Sequence, residues 1–311
     1  MAVSQATSQA TQTVTHQPQK RSWLDLLERE SVLGLLFVVP ALILILTFVA
    51  YPFFYGVWLA LTNTRIGVTG DFIGLKNFEY LLNDSVFLRT VRNSFEYTGV
   101  ATTFKFTLGM AIAVLLNQKF RQQRLARAAV LLPWIIPTVL STIAWLWMFD
   151  STFSVFNWLL AKIGIDGPIW LGDAHWPMIS LMIVNIWRGT PFYAISFLAG
   201  MQTISPTYYE AAQIDGAGWW RQFTNVTLPL LQPVIMVVLL LSIILTFADF
   251  QITWVLTRGG PADKTHLFAT LAYQRGLQGT QIGEGAAISL FLFPALCVLV
   301  FAIIRNLRRE D

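Results

Sequence analysis

Charge is what this chain has least of. Asp, Glu, Lys and Arg make up 12% of its 311 residues, while 55% are hydrophobic and 14% aromatic. Soluble domains carry roughly a quarter of their residues as charges. A mean hydropathy of +0.58 points the same way. So much apolar surface does not fit inside one water-soluble core and needs lipid as its solvent. Cysteine is nearly absent too. Cys297 stands alone, so no intrachain disulfide forms, and its apolar neighbours mark it as a small packing residue. No GxxxxGK[ST] run occurs, which excludes a phosphate-cradling loop. His16, His175 and His266 are scattered without metal-ligand spacing, so no metal site and no catalytic residues are expected. The net charge of +4 and pI of 9.3 fit the cytoplasmic Lys and Arg of a membrane protein, not nucleic-acid binding.

What is present is a series of long apolar runs. Residues 1–20 are Ser-, Thr- and Gln-rich, and the tail 1–30 is expected to be largely disordered and cytoplasmic, with no signal peptide. Six apolar stretches follow, at about 31–61, 95–116, 128–149, 177–200, 230–255 and 285–304. Each suffices to cross a bilayer as a helix, the form that satisfies backbone groups in lipid. The expected fold is all-α and polytopic, with a transmembrane domain over 31–305 and a short cytoplasmic tail at 306–311. Pro40, Pro52, Pro133, Pro137, Pro191, Pro233 and Pro294 fall in these stretches, where kinks are tolerated. Orientation rests on the loop 117–127, which holds Lys119, Arg121, Arg124 and Arg127 and no acidic residue. By the positive-inside rule it is cytoplasmic, and six spans then place both termini inside.

Only one inner connection is long, about 203–229. Ser205 suits a helix N-cap, Pro206 the first helical position and Gly216 the residue just past the end. The helix between them is too short to cross a membrane. Ala211 and Ala212 make one face small, so another surface approaches the backbone closely, and Glu210 and Asp215 supply charge. A second helical stretch from Trp219 leads to Leu228 and Pro229.

The spacing of Glu210, Ala211, Ala212, Asp215, Gly216, Ala217, Phe223, Leu228, Pro229 and Pro233 resembles the EAA loop of type I ATP-binding-cassette (ABC) importer permeases. Val226 stands where that family more often has Ile. Gly74-Leu75-Lys76-Asn77-Phe78, Asn157–Leu160, Trp187–Phe192 and Leu256–Pro261 with Thr265 and Tyr273 resemble the carbohydrate subfamily of maltose, trehalose and glycerol-3-phosphate importers. The resemblance implies the type I permease fold in a bacterial inner membrane. It also implies a second homologous permease chain forming a heterodimer and two ATPase subunits holding ATP and magnesium. A periplasmic or lipid-anchored substrate-binding protein completes the assembly. The chain itself would hold no cofactor and catalyse nothing. Glu210, Ala211, Ala212, Asp215, Gly216, Ala217, Leu228 and Pro229 would couple it to the ATPase.

Charges inside the spans are costly and therefore informative: Lys105, Arg188 and Asp249. They are read either as a polar cavity for sugar hydroxyls or as interhelical structural pairs. Asp249 is the stronger sugar candidate, with Gln251 beside it and Arg188, Trp145, Trp147 and Trp187 as further candidates along the path. Tryptophan is also common at membrane interfaces. A single-chain secondary transporter or channel is the rival reading, but the structured inner loop argues against it. A polytopic membrane enzyme would show a cluster of His, Asp or Ser, and none is seen.

Overall fold

A computed structural model describes residues 30–307, so the two expected tails lie almost wholly outside the described residues. The chain divides into two compact units, Met1–Tyr55 and Gly56–Asp311. The first contains α1 (Glu30–Ile45), a π-helical turn (Leu46–Ala50) and the start of α2 (Tyr51–Ala60). From Leu33 on, its side chains are almost uniformly apolar and exposed, with Phe37 at 79% and Phe48 at 72%. An apolar helix without a polar face is a lipid-facing helix.

Among the described residues the regular structure of the second unit is helical, beside two isolated bridges, Thr62 to Phe72 and Arg65 to Val68. Its helices are α3 (Lys76–Asn83), α4 (Ser85–Asn117), α5 (Gln123–Ile135), α6 (Thr138–Met148) and α7 (Val155–Lys162). Then come α8 (Trp176–Thr203), α9 (Pro206–Ile214), α10 (Trp219–Gln222), a π-helical turn (Phe223–Thr227) and α11 (Leu228–Phe247). The chain closes with α12 (Gln251–Leu256), α13 (Phe268–Tyr273), a π-helical turn (Gln274–Gln278) and α14 (Ile282–Leu307).

A helix occupies each of the six expected stretches, with three departures. The second begins at Ser85, not near 95, because the Asp84 carboxylate caps it by accepting from the N–H groups of Val86 and Phe87 at 3.1 and 3.3 Å. That first part is amphipathic and hides from a hydropathy reading. The third is not one helix but two, α5 and α6, meeting at 90°. Pro137 drives Ile136 out of the helical region to ψ 132°, and with no N–H it cannot continue the ladder. The fifth is interrupted at Ala248–Phe250, between α11 and α12. Leu33–Ala60, Ser85–Asn117, Trp219–Leu256 and the bent α5–α6 pair are long and apolar enough to cross a membrane. Helix α8 has the length at 28 residues but carries Asn185, Arg188 and Thr190 in its middle.

The centre of the unit is the α4–α8 pair, with α5 and α11 packed on it. The two backbones meet at Gly109, where an added Cβ would lie 2.3 Å from the Cβ of Tyr193. Small residues permit such approach, and close packing holds membrane helices together. Gly109→Val is expected to lower stability by about 2 kcal/mol through overpacking. Gly99→Val, on the same helix with open space around it, is expected to have no such effect. Thermal unfolding of both variants in detergent checks this.

The motifs at 74–78, 157–160 and 256–261 are staples. The Asn77 amide donates to the carbonyls of Ala60 and Thr62, both at 2.8 Å, and Phe78 packs on Phe291. Asn157 accepts from the Trp170 indole at 2.7 Å and donates to the Pro168 carbonyl at 3.1 Å. Gly259 has φ +88°, and a Cβ there would strike the His266 ring. Burial in this loop holds the His266 imidazole below its ordinary pKa, outweighing the opposing pull of Asp263.

A salt-bridge hub joins three elements nearby. Arg275 pairs with Asp84, the cap of α4, and with Glu284 in the first turn of α14, while its guanidinium lies over the Tyr80 ring of α3. All three charged side chains are less than a fifth exposed. Breaking one partner of such a cluster strands the others. Arg275→Met is therefore expected to destabilise the fold by about 3 kcal/mol, read as a lower midpoint of thermal unfolding. An unchanged midpoint would show that the hub contributes nothing.

Candidate functional site

The segment at 203–229 folds as a short helix with a sharp stop. Pro206 occupies the first turn of α9, and the helix ends at Ile214. Gly216 takes φ +75°, the left-handed conformation that glycine adopts without strain. Its N–H donates to the Gln213 carbonyl at 3.0 Å, and the N–H of Ala217 donates to Ala212 at 2.8 Å. This is the paired arrangement of a Schellman stop, which satisfies the last carbonyls of the helix. Ser205 begins the helix but does not cap it with its side chain, which bonds the Thr207 hydroxyl at 2.9 Å instead.

Helix α9 stands out from the body. Glu210, Ala211, Asp215 and Gly216 are exposed, Ala212 and Ala217 are half-buried, and Ile214 is 87% exposed. Behind it, Tyr209 and Thr227 share a hydroxyl–hydroxyl bond of 3.0 Å, and the Gln222 amide donates to the Ala217 carbonyl at 2.7 Å. Trp219 stacks on Phe223, and together they line a small cavity of about 140 Å³ under the helix. Leu228 and Pro229 open α11 directly after the π turn. The short helix is thus tied to the foot of a membrane helix while its outward face stays unpaired among the described residues.

The second feature is a polar cavity of about 460 Å³ among α5, α8 and the broken α11–α12. It lies where two helices are interrupted, and the half-helices beyond the breaks, α6 and α12, pack on each other. Irregular backbone at membrane depth is tolerated where it lines a cavity. Asp249 lies in the second break. Its Oδ2 accepts from the Tyr97 hydroxyl at 2.5 Å and from Asn185 Nδ2 at 3.2 Å, and its Oδ1 accepts from the Ile252 N–H at 3.3 Å. Lys105, 3% exposed, donates to Asn185 Oδ1 at 2.9 Å and to the Thr246 hydroxyl at 2.7 Å. Lys105, Asn185 and Asp249 thus form a chain of hydrogen bonds linking α4, α8 and the end of α11. A carboxylate offers about four acceptor positions, and three are taken.

Arg188 bonds the Thr138 hydroxyl through both Nε and Nη2 and lies 5.6 Å from the centre of the Trp134 ring. Trp134 stacks on Phe192, with ring centres 5.3 Å apart. Gln251, at the start of α12, is exposed and lines the cavity. Trp145 and Trp187 do not line it. They flank a separate, almost wholly apolar pocket of about 720 Å³. Trp145 is buried in an aromatic cluster, stacked on Phe156 and met edge-on by Trp187. Trp147 is 75% exposed on the apolar surface. The structure therefore brings Asp249, Gln251 and Arg188 together and sets the two tryptophans apart. Tyr97, Asn185, Trp134 and Thr138 were not singled out from sequence. The signal for Asn185 was available, since it lies one helical turn before Arg188 on α8.

Comparisons with known proteins place the chain in a family. Residues 105–309 match the family described as binding-protein-dependent transport system inner membrane component. The chain is 34% identical over 277 residues to the trehalose/maltose transport system permease protein MalF of Thermococcus litoralis, covering 89% of this chain and 93% of that one. It is 33% identical over 297 residues to the sulfoquinovosyl glycerol transport system permease protein SmoG of Agrobacterium fabrum, covering 94% and 96%. Among solved structures, a bacterial ABC transporter involved in the import of the acidic polysaccharide alginate superposes with a TM-score of 0.80 at 25% identity, covering 92% of this chain and 98% of that one.

Proposed function

Because this chain belongs to the family of binding-protein-dependent transport system inner membrane components, we propose that it is the permease subunit of an ABC importer for a sugar or sugar derivative. The observation that carries the reading is α9: a capped, exposed helix of nine residues bearing Glu210, Ala211 and Ala212 at the foot of a membrane helix. Such a helix is a seat for another protein.

In this reading the partner is an ATPase that binds ATP and magnesium, and this chain holds no cofactor. Glu210, Ala211, Ala212, Asp215, Gly216, Ala217, Leu228 and Pro229 transmit its closure to α11. A second, different permease chain completes the membrane assembly, with two ATPase subunits inside and a periplasmic or lipid-anchored binding protein outside. Both termini are cytoplasmic. Nucleotide biases the helices between inward- and outward-open arrangements, the usual logic of a two-state transporter. The cargo passes the polar cavity, where Gln251 and the remaining acceptor position of Asp249 meet hydroxyls. Trp134 and Phe192, in place of Trp145 and Trp187, offer ring faces for stacking.

Affinity purification of the tagged full chain from native membranes tests the assembly. A second permease and an ATPase are expected to co-purify in fixed ratio. A chain that purifies alone and still transports would be a single-chain secondary transporter.

A further inference from the structure

The polar cavity holds an unbalanced charge. Lys105 and Arg188 line it against the single carboxylate of Asp249, a formal excess of one positive charge. Lys105 is satisfied: it is buried, bonded to two neutral acceptors and linked to Asp249 through Asn185. Arg188 is different. Among the described residues it makes no ion pair. Two of its five N–H groups are spent on one oxygen, the Thr138 hydroxyl, and none of its nitrogens is buried without a partner. Three donors of a planar fork therefore remain open to the cavity. Asp249 acts on it across the cavity without touching it. A guanidinium kept without a direct ion pair at membrane depth is costly, and such residues are functional by default. Its geometry matches an oxyanion with two oxygens better than a hydroxyl. Thr138 fixes the fork from one side and the Trp134 ring from another, so the group is held in place before any ligand arrives. Thr138 is also the first residue of α6, whose positive dipole end faces the same space with no side-chain cap.

Building on the importer reading above, we propose that the cavity selects a sugar carrying an anionic substituent, a carboxylate or sulfonate that docks on Arg188 while the ring lies against Trp134 and Phe192. Arg188 is the specificity-determining residue, and Asp249 faces the hydroxyl side of the same ligand.

Equilibrium dialysis tests this on the complete importer in nanodiscs without its binding protein, so that only the membrane cavity is read. The probes are 4-nitrophenyl β-glucuronide, 4-nitrophenyl β-glucoside and 4-nitrophenyl β-glucoside 6-sulfonate. At least one anionic probe is expected to bind about tenfold or more tighter than the glucoside, the worth of one charge-assisted contact. Arg188→Gln is expected to erase the difference and Arg188→Lys to keep part of it, since Lys supplies charge without the fork. Thr138→Val, which frees the guanidinium without removing it, is expected to weaken the preference several-fold; it carries the test if Arg188→Gln does not assemble. Equal binding of neutral and anionic probes, a preference that survives Arg188→Gln, or no saturable binding of any probe overturns the proposal. A complex that assembles with its ATPase yet shows any of these results leaves the importer reading standing, whereas a chain that purifies without an ATPase defeats that reading first.

Discussion

Replacing Gly216 with proline is expected to cost the end of α9 about 3 kcal/mol or more and to cut ATP-driven uptake about a hundredfold, with the chain still in the membrane. The reason is local. Gly216 sits at φ +75°, which the proline ring cannot reach, and its N–H donates to the Gln213 carbonyl, which proline cannot do. Losing the stop frees Ala217 from Ala212 and lets the exposed helix unwind into the segment that leads to α11. Nothing within 4 Å of Gly216 would clash with a side chain, so the effect is one of backbone, not of packing. Gly216→Asn is the control, because asparagine tolerates the left-handed region, and it is expected to keep most of the activity. Glu210→Ala removes an exposed charge without touching the backbone and is expected to raise the ATP hydrolysed per sugar moved, with little change in fold. Uptake in cells and ATPase rate in the purified assembly read both effects. Normal transport by Gly216→Pro in an intact assembly would mean that α9 is not the coupling element.

The second large effect is expected at Asp249. Removing its carboxylate in Asp249→Ala leaves Tyr97, Asn185 and the Ile252 N–H without their acceptor, and Lys105 without the one negative group in its hydrogen-bonded chain. The expected loss of stability is about 3 kcal/mol, most of it the cost of an uncompensated cation at membrane depth. If that is the cause, removing the cation as well must help. Asp249→Ala combined with Lys105→Met is expected to recover at least half of the lost stability. Asp249→Asn loses the charge and one of the two acceptor oxygens but keeps the other, so it is expected to fall between wild type and Asp249→Ala. Thermal unfolding of wild type, Asp249→Ala, Lys105→Met and the double variant gives the coupling directly. Equal stability of Asp249→Ala with and without Lys105→Met would show that the two groups do not communicate. Transport must be read beside it, because a sugar role for Asp249 predicts loss of uptake even where the fold is restored.

The two sites differed in how far they could be read in advance. Helix α9 was legible because everything that defines it is local: proline at its start, small residues in its middle, glycine two residues past its end. Even there the sequence misassigned Ser205, whose hydroxyl prefers Thr207 to the backbone. The cavity was legible only as a set of expensive residues. Lys105, Arg188 and Asp249 announce themselves in apolar runs, but their partners do not. Tyr97 and Asp249 lie 152 positions apart, and Lys105 and Thr246 lie 141 apart. Two readings stood side by side, a sugar cavity and a set of structural pairs. The geometry divides them, with Lys105 held in an internal chain, Asp249 mostly engaged in it and Arg188 left open. The tryptophans show the same limit. Composition offers many of them, and only packing distinguishes Trp134, 39% exposed beside the open guanidinium, from Trp145, 9% exposed inside an aromatic cluster.

Sequence alone therefore determined the solvent, the helical class and the capped inner helix. Hydropathy, backbone satisfaction in lipid and helix-end chemistry act over a few residues at a time and leave their mark in order along the chain. The tertiary structure decided where the spans break, which charges face one another and which aromatic rings remain open. Those follow from contacts between helices far apart in sequence, where a proline at 137 and a carboxylate at 249 acquire their meaning only from what lies opposite.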